Sequence, residues 1–395
     1  MLSKEYPLSE KVEIPNQKEV QITECPEGVI RCDRIELKPS NKQRYILKRW
    51  FSWYRWAYNQ TVVYLRKDPE KKSFYSVRKG VKDSWSQYQK KMLKQSGIPM
   101  HSVDNAIHDV LKAYKSAYSN KANGNIRKFI IRCKKKRCPK QTMTIEASAF
   151  SKRHNSFAVK VMGKEIKSNA SIKGIDRDSR LTWDTRHGTF TLFAPIEIGA
   201  QKVTNRDSVC SLDPGIRTFQ TVYSKNSVYE FGSKISQEVR QLLDKIEALK
   251  SHEGKRWYSK YSKRLYDKVT HKVDDLHWKT TSFLAKNYDT ILLGSMSTAD
   301  IVKSTGNLHK RVRPIALLLK HFSFKQRLIA KAEEFGAEVI VVNEAWTSKT
   351  CGGCFERNHE LGRSKIFRCP NCPFVWDRDF NGARNIMLKH FGHFH

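Results

Sequence analysis

The segment Ser208-Val-Cys-Ser-Leu-Asp-Pro-Gly215 joins a short apolar run to an acidic residue and a turn. Runs of this length that are bounded by proline and glycine are typical of buried strands. We therefore predict a strand that ends beside Asp213, where the following proline and glycine stop it. Two more strands are predicted over 219–223 and 228–231, where apolar and aromatic residues dominate.

The pattern downstream of these strands alternates between helices and strands. A long basic helical region is predicted over about 234–288, then a strand over 289–294, a helix near 311–335 and a strand over 338–343. A cysteine-rich insert and a last helix near 382–389 follow. This order of elements is that of an RNase H-like α/β domain, which we predict for the C-terminal half.

The N-terminal half combines helices with a small sheet. Residues 1 to about 30 are polar and are predicted to be loosely ordered, and a short strand is predicted over 35–38. Helical spacing of apolar residues predicts helices over about 43–67, over about 73–94 and from Pro99 to the polar break at 120–125. From about 141 to 200 the period changes to alternation, with Phe157, Val159 and Val161 among the apolar positions. Alternation predicts a small antiparallel sheet or barrel into which the helices are inserted.

The charge of the chain indicates a polyanionic partner. Lys and Arg number 74 and Asp and Glu number 39, which leaves a net charge of +35. Such an excess repels itself in a compact state unless a polyanion offsets it, whereas solubility alone needs only a modest net charge. Aromatic residues also interleave with basic ones in Lys48-Arg-Trp-Phe-Ser-Trp-Tyr-Arg-Trp56, as stacking surfaces beside phosphate contacts require. No apolar run approaches the ~20 residues of a membrane span, and the N-terminus shows no apolar signal region. We expect an intracellular nucleic-acid-binding protein with no membrane partner.

Four cysteines near the C-terminus have the spacing of a zinc site. Cys351-Gly-Gly-Cys354 and Cys369-Pro-Asn-Cys372 form a C-x2-C-x14-C-x2-C pattern, in which each pair turns back toward one tetrahedral Zn²⁺. Four thiolates leave no open position, so one structural Zn²⁺ is predicted in preference to a catalytic ion or to four unconnected thiols. The remaining cysteines are predicted to be ordinary thiols, although two pairs could form a second site: Cys25 with Cys32, and Cys133 with Cys138. Cys210 is predicted to lie in the core.

Three acidic residues stand at the ends of predicted elements. Asp213 ends the first strand, Glu344 follows the strand over 338–343, and Asp379 immediately precedes the last helix. Carboxylates that converge from different elements can hold two Mg²⁺ for phosphodiester hydrolysis. Each acid has an alternative role: Asp213 could cap a turn, Glu344 could be a solvated strand end, and Asp379 could be a helix N-cap. Asp377 is interpreted as a supporting or capping residue.

At this point the chain resembles a known family. Leu212-Asp-Pro-Gly-Ile-Arg-Thr-Phe219 resembles the first RuvC motif of TnpB transposon nucleases. Their zinc finger and third RuvC motif are matched, in the family's order, by Thr347-Ser-Lys-Thr-Cys-Gly-Gly-Cys354, Cys369-Pro-Asn-Cys372 and Asp377-Arg-Asp-Phe-Asn-Gly-Ala-Arg-Asn-Ile386. The N-terminal helical segment is matched by Leu37-Lys-Pro-Ser-Asn-Lys-Gln43 and Arg55-Trp-Ala-Tyr-Asn59, and the basic strand by 128–137. The resemblance covers about 33–390.

One position departs from the TnpB pattern. The second RuvC motif of TnpB places a glutamate at the end of the fourth strand, where this sequence has Gly294-Ser-Met, and the nearest carboxylate is Asp300. Glu344, on the next strand, could bring a carboxylate to the same metals. A relocated glutamate of this kind is a feature of Fanzor proteins, the eukaryotic and viral relatives of TnpB. The chain is therefore identified as similar to Fanzor proteins, with an unusual TnpB as the alternative.

The resemblance implies an RNA-guided DNA endonuclease. It implies a noncoding guide RNA, one protein per RNA, and double-stranded target DNA with a short flanking motif. Asp213, Glu344 and Asp379 would bind two Mg²⁺, and a eukaryotic or viral source would imply a nuclear location. Two alternatives remain open: an RNA-guided DNA-binding regulator that has lost cleavage, and an RNase H-like nuclease or transposase that uses no guide.

The resemblance also divides the chain. It implies a RuvC nuclease domain with an inserted zinc finger, preceded by a wedge-like β-barrel with a helical recognition insertion. The predicted segments are an extension (1–32), the wedge-like barrel (33–207) with its insertion (about 40–125), the larger RuvC segment (208–346), the zinc finger (347–376) and the C-terminal RuvC segment (377–395). Nucleic-acid contacts are predicted for Arg55, Tyr58, Asn59, Lys134, Lys135, Lys136 and Arg137. Tyr58 could instead be a core residue, and the run from 134 to 137 also resembles a nuclear signal.

Overall fold

The chain forms two compact units. The computed structural model describes residues 22–67, 73–203, 205–253, 260–302, 309, 311–362 and 364–393. One unit is Ile30–Ile198, and the other is Gly199–His395 together with the described residues of Met1–Val29. Within these described residues, no helix is long and apolar enough to cross a membrane.

A five-stranded sheet underlies the first unit. Its strands are β1 (Ile22–Lys38), β2 (Lys140–Ile145), β3 (Lys167–Ser168), β4 (Ser179–Asp184) and β5 (Thr189–Val203), in the order β2-β4-β5-β1-β3. The β1–β3, β2–β4 and β4–β5 pairs are antiparallel, as the alternating pattern predicts. The strand predicted over 35–38 is longer in the structure, where β1 begins at Ile22. Residues 22–30, predicted from the sequence to be loosely ordered, are therefore extended. Residues 1–21 lie outside the described residues.

Four helices accompany this sheet. They are α1 (Asn41–Lys67), α2 (Phe74–Asp83), α3 (Gln87–Gln95) and α4 (Met100–Ala122). The single helix predicted over 73–94 is wrong, since a capping box restarts the chain as α3. In this box the Ser86 hydroxyl accepts from the Gln89 N–H and the Gln89 side chain accepts from the Ser86 N–H.

Two predicted extended segments of this unit have other conformations. Val159–Met162 forms a one-turn helix (α5), because Ala158 adopts a left-handed φ of 45° and Gly163 ends the turn at a φ of 89°. Residues 128–137, which resemble the basic strand of the family, form no strand. There the backbone bonds to side chains, since Asn59 exchanges two hydrogen bonds with Lys134 and Arg66 donates to the Ile131 carbonyl.

The buried face of α1 carries the core of the first unit. The predicted positions of helical spacing are all buried: Leu47, Trp50, Tyr54, Ala57 and Thr61. Trp50 packs on Phe157, with ring centroids 6.3 Å apart, and Phe51 packs on Trp183 of β4 at 5.8 Å. Each buried side chain of this size contributes roughly 1.5–3 kcal/mol, so the aromatic run holds the helix on the sheet.

The second unit is built on a mixed sheet. Its strands are β6 (Asp207–Pro214), β7 (Gln220–Ser224), β8 (Val228–Phe231), β9 (Tyr288–Gly294) and β10 (Glu338–Val342), in the order β10-β9-β6-β7-β8. The pairs β6–β9 and β9–β10 are parallel, whereas β6–β7 and β7–β8 are antiparallel. This is the strand order expected of the RNase H-like domain that the sequence predicts.

Helices cover this sheet and are more divided than the sequence predicts. They are α6 (Ile235–Glu253), α7 (Lys260–Asn287), α8 (Thr298–Val302), α9 (Arg313–Leu319), α10 (His321–Phe335) and α11 (Arg378–His390). Helices α6 and α7 lie within the helical region predicted over 234–288, and residues 254–259 between them lie outside the described residues. The one predicted over 311–335 breaks at Lys320, which has a left-handed φ of 51°. The last helix begins at Arg378, before the predicted start near 382, because Asp377 caps it.

The topology gathers the ends of three strands at one edge. Because β6, β9 and β10 run parallel, their carboxyl ends meet there, at Asp213, at Gly294 and just before Glu344. The helix α11 packs across the same region, and the Ser211 hydroxyl donates to the Ala383 carbonyl at 2.7 Å. The cysteine-rich insert adds a hairpin of β11 (Ile366–Arg368) and β12 (Val375–Asp377), which leads directly into α11.

Candidate active site and metal centre

Asp213, Glu344 and Asp379 line one cavity of about 590 Å³. The first ends β6, the second follows β10 and the third lies in the first turn of α11. The convergence of three acids from three elements, which the sequence predicts, is thus present. Basic side chains share the cavity wall, namely Arg217, Lys365, Arg378 and His309.

Asp213 lies in a closely packed position. A Cβ built at Gly382 of α11 would lie 2.5 Å from Asp213 Oδ2, so only glycine lets the helix approach this carboxylate. Burial raises the pKa of Asp213 well above its usual value, and the charges of Asp379 and Glu344 raise it further. The alternative role as a turn cap does not account for a carboxylate buried in this way among other acids.

The carboxylate of Glu344 fills the space beside the end of β9. A Cβ built at Gly294 would lie 2.9 Å from Glu344 Oε2 and 2.9 Å from Pro214 Cδ. The register supports this placement, because Val342 pairs with Gly294 and the Ser295 N–H donates to the Val342 carbonyl. The carboxylate of Glu344 therefore lies beside the end of β9.

Glu344 lacks any partner for one of its oxygens. Its Oε2 atom is buried and has no hydrogen bond to any described residue, and burial raises the pKa of Glu344 to about 7. A solvated strand end would show neither property, so that alternative is wrong. The side chain of Asp300, the other acid considered from the sequence, lies outside the described residues.

Asp377 and Asp379 have different roles at the start of α11. Asp377 is the N-cap, and its carboxylate accepts from the N–H groups of Asp379 and Phe380 at 2.8 and 3.2 Å. The alternative in which Asp379 is the N-cap is therefore wrong. Burial raises the pKa of Asp379, and the neighbouring charge of Asp377 adds to the effect.

The chemistry of these acids fits divalent cations. Carboxylates that are partly buried side by side repel one another, and the buried Glu344 Oε2 atom offers an oxygen ligand of the type that Mg²⁺ prefers. The acids are spread more widely than the thiols described next. Among the described residues, the four cysteines form the one group of three or more ligand residues whose ligand atoms all lie within 4.8 Å of one another. A wider spread suits a pair of ions about 4 Å apart.

The four predicted cysteines form a compact cluster. Cys351 Sγ lies 3.6 Å from Cys372 Sγ, and Cys354 Sγ lies 3.5 Å from Cys369 Sγ. A tetrahedron with Zn–S bonds of about 2.3 Å has edges of about 3.8 Å, so the cluster could hold one Zn²⁺. The Gly353 and Asn371 N–H groups each point at the sulfur two residues earlier, at 3.3 and 3.4 Å. This contact turns each pair back toward a shared centre.

Two asparagines join the cysteine insert to α11. Asn381 donates to the Thr350 carbonyl and accepts from the Gly352 N–H, and Asn385 donates to the carbonyls of Thr347 and Thr350. Both asparagines are fully buried. Sequence reasoning missed this function, although two asparagines four apart on one helix face were the available signal. They fix the loop that follows Glu344 to the helix that carries Asp379.

The asparagine contacts give a stability prediction. We expect Asn385→Ala to lower the free energy of unfolding by about 1–3 kcal/mol, because the Thr347 carbonyl loses its side-chain donor and the Thr350 carbonyl keeps only the one from Asn381. Thermal melts followed by circular dichroism measure this change, and Asn226→Ala on the exposed β7–β8 turn is the control. Equal melting temperatures for the two variants would contradict the predicted role of Asn385.

Four of the predicted nucleic-acid residues make contacts inside the first unit. Tyr58 is only 7% exposed, which agrees with its alternative role in the core, and Lys134 Nζ lies 4.1 Å from its ring centroid. Asn59 holds the Lys134 backbone, and Arg55 donates to Gln141 at 2.6 Å. The other three are exposed: Lys135, Lys136 and Arg137. Nucleic-acid contact stays a prediction for all seven.

The remaining cysteines resemble ordinary thiols where they are described. Cys32, Cys133 and Cys138 form no disulfide with a described residue, and Cys210 is buried in the core of the second unit. Within the described residues, no second group of metal ligands accompanies the four cysteines of the insert. The side chain of Cys25 lies outside those residues.

Comparisons with known proteins agree with these features. A family model described as "Cas12f1-like, TNB domain" matches residues 321–386, which include β10, the insert and most of α11. TnpB-like protein L79 of Acanthamoeba polyphaga mimivirus is 29% identical over 92% of this chain and 74% of its own length. The putative transposase A625R of Paramecium bursaria Chlorella virus 1 is 25% identical, covering 91% and 87%. The putative RNA-guided DNA endonuclease InsQ of Escherichia coli K12 is 22% identical, covering 90% of each chain.

A solved structure is also similar. The cryo-EM structure of a Cas12f1–sgRNA–target DNA complex aligns with a TM-score of 0.49 and 12% identity, covering 88% of this chain and 83% of the other. The class defined by the fold and site is an RNase H-like α/β protein that carries an acidic cavity and a four-cysteine insert. With its relatives taken into account, the chain is similar to TnpB-like proteins over most of its length.

Proposed function

We propose that this protein is an RNA-guided DNA endonuclease with one RuvC-type site in the acidic cavity. The observation that carries the proposal is the convergence of Asp213, Glu344 and Asp379 on that cavity, with Glu344 Oε2 buried and unpartnered. Such a set of carboxylates is suited to two-metal phosphodiester hydrolysis.

The acidic and basic side chains of the cavity would have different roles. Asp213, Glu344 and Asp379 would hold two Mg²⁺, and in the ionised form their oxygens are the ligands. When bound, the two ions would lower the pKa of the attacking water and neutralise the leaving 3′ oxygen. Arg217 and Lys365 also line the cavity, and their positive charges would bind the phosphates that flank the cleaved bond.

The position of Glu344 supports a Fanzor-like subgroup. Its carboxylate lies beside Gly294, which supports the proposal that Glu344 replaces the acid that TnpB proteins carry at the end of this strand. The four cysteines would hold one structural Zn²⁺ beside this site. A viral or eukaryotic member of this subgroup would act in the nucleus.

The proposed partners are a noncoding guide RNA and a double-stranded DNA target with a short flanking motif. The net charge of +35 and the exposed run from Lys135 to Arg137 suit a bound RNA. Two relatives are named in the same terms: InsQ as an RNA-guided DNA endonuclease, and Cas12f1 of Sulfoacidibacillus thermotolerans as a CRISPR-associated endodeoxyribonuclease, 34% identical over 17% of this chain. We propose one protein per RNA.

The first experiment is to express the chain with its native flanking DNA and sequence the nucleic acid that co-purifies. One discrete RNA from the flank, followed by Mg²⁺-dependent cleavage of a matching DNA, is the expected result. Mixed RNA and DNA fragments, with cleavage that survives RNase treatment, would favour a guide-free nuclease. A discrete RNA with guided binding and no cleavage would favour a regulator.

An exchange of two positions tests whether Glu344 replaces the missing acid. We expect Gly294→Glu alone to lose cleavage, because the new side chain would displace the Glu344 carboxylate. A Cβ at position 294 already lies 2.9 Å from Glu344 Oε2. The double variant Gly294→Glu/Glu344→Gly returns one acid to that space, but a Cβ at position 294 still lies 2.9 Å from Pro214 Cδ. We therefore expect it to regain only part of the activity. The measurement is single-turnover cleavage by the guide-loaded protein. A double variant as inactive as Glu344→Gly alone would contradict the exchange.

A further inference from the structure

Trp346 is an exposed aromatic residue in the loop between two walls of the acidic cavity. It lies two residues after Glu344 and one before Thr347, both of which line the cavity. Nevertheless 47% of Trp346 is exposed. The proposed metal site does not use it, so its position beside the cavity requires another explanation.

The backbone holds Trp346 in a costly conformation. Its φ is 70°, in the left-handed region that bulky residues rarely adopt. The Trp346 carbonyl accepts hydrogen bonds from the Lys349 N–H, the Thr350 N–H and the Thr350 hydroxyl, and the Glu344 carbonyl accepts two from Thr347. Glycine would fit this backbone without strain, yet an indole occupies it. Strain of this kind accumulates at functional sites.

Two cationic groups lie over the Trp346 ring. The Arg357 guanidinium is 5.2 Å and the Lys349 ammonium 5.9 Å from the ring centroid. An aromatic face beside cations is the arrangement that binds single-stranded nucleic acid, since the ring stacks on a base and the cations bind its phosphates.

We propose that Trp346 stacks on an unpaired base of the single DNA strand whose phosphodiester enters the acidic cavity. The partner is a single strand because a duplex keeps the faces of its bases covered and offers only phosphates to this loop. This inference rests on the proposed function, and it adds a residue that orients the strand before cleavage.

The test uses the full chain with its guide RNA and three variants. Trp346→Gly keeps the loop, because glycine adopts a φ of 70° without strain. Trp346→Tyr keeps a stacking ring. Trp278→Ala is the matched control. Trp278 lies on α7, is 48% exposed and does not line the cavity, and the Arg327 guanidinium of α10 lies 5.0 Å from its ring centroid.

The probes are a 12-nucleotide oligo-dT and copies with one abasic site at each position, bound without Mg²⁺ so that no cleavage occurs. We expect one abasic position to weaken binding to the unsubstituted protein by about 5- to 100-fold. Trp346→Gly should weaken binding of the intact oligonucleotide by a similar factor. In this variant, the abasic site should cause no further loss of affinity. Trp346→Tyr should keep most of the affinity, and Trp278→Ala all of it.

The inference is overturned if Trp346→Gly binds the intact oligonucleotide as tightly as the unsubstituted protein, or if the abasic effect persists in that variant. Cleavage by the unsubstituted protein in Mg²⁺ is measured in parallel and tests the proposed function separately. Cleavage without a Trp346-dependent abasic effect overturns the stacking inference alone. A Trp346-dependent effect without any cleavage supports stacking and overturns the nuclease.

Discussion

Replacement of Glu344 by glutamine should reduce Mg²⁺-dependent DNA cleavage by roughly three orders of magnitude or more, as expected when one member of a cooperating catalytic set is lost. Glutamine keeps the shape of the side chain beside Gly294 but removes the charge that would hold the ions. Because Oε2 has no hydrogen-bond partner, the neutral amide loses no contact that the carboxylate makes at that atom.

The same variant should bind guide RNA as the unsubstituted protein does. A single neutralised acid changes the net charge only from +35 to +36, and the cavity acids would contact metals and not the RNA scaffold. RNA retention on purification and single-turnover cleavage of a matched DNA are the two measurements. A loss of both would indicate misfolding in place of a catalytic defect.

Glu338→Gln is the matched control for Glu344→Gln. Glu338 lies at the start of β10, the strand that Glu344 follows, and its side chain is exposed. Full activity is expected for this control. Full activity in Glu344→Gln as well would return the metal role to Asp300 or to another acid, and it would contradict the proposal that Glu344 substitutes for the residue missing at Gly294.

The elements of the fold that the sequence predicts best are those with long apolar strands. The run before Asp213 and the run before Glu344 are bounded by turns or by polar residues, so their type and their ends could both be assigned. Parallel pairing then brings their carboxyl ends to one edge. The exact position of the Glu344 carboxylate beside Gly294 could not be predicted. It depends on the conformation of the side chain between the ends of the neighbouring strands β10 and β9.

Local backbone interactions explain most of the errors. The left-handed turn at Lys320 and the capping box at Ser86 divide helices whose apolar spacing continues without interruption. Val159 and Val161 alternate as in a strand, but one turn of helix accommodates so short a pattern equally well. Tyr58 shows a third kind of ambiguity, because an aromatic residue beside basic ones can stack on a base or fill a core.

The second large effect concerns the cysteine insert. Replacement of Cys354 by serine should abolish binding of one Zn²⁺ per chain, because three thiolates and a hydroxyl hold the ion far less tightly than four thiolates. Binding of structural zinc stabilises small domains by about 10–16 kcal/mol, so the insert should lose its fold when the ion is lost. Its small core offers little in exchange, since Leu361 and Phe367 are its buried apolar side chains.

Loss of the insert should also abolish cleavage, although no cysteine lies in the acidic cavity among the described residues. Asn381 and Asn385 bond to the loop from Thr347 to Gly352, and this loop joins Glu344 to the first cysteine pair. A disordered insert therefore releases both Glu344 and the start of α11. Zinc content by mass spectrometry, melting temperature and cleavage rate should all fall in Cys354→Ser. Cys138→Ser should change none of them, because Cys138 is exposed and a serine hydroxyl can still donate to the Lys140 carbonyl. A zinc-free Cys354→Ser variant that still cleaves at the normal rate would contradict this coupling, because the carboxylates would then be held without the insert.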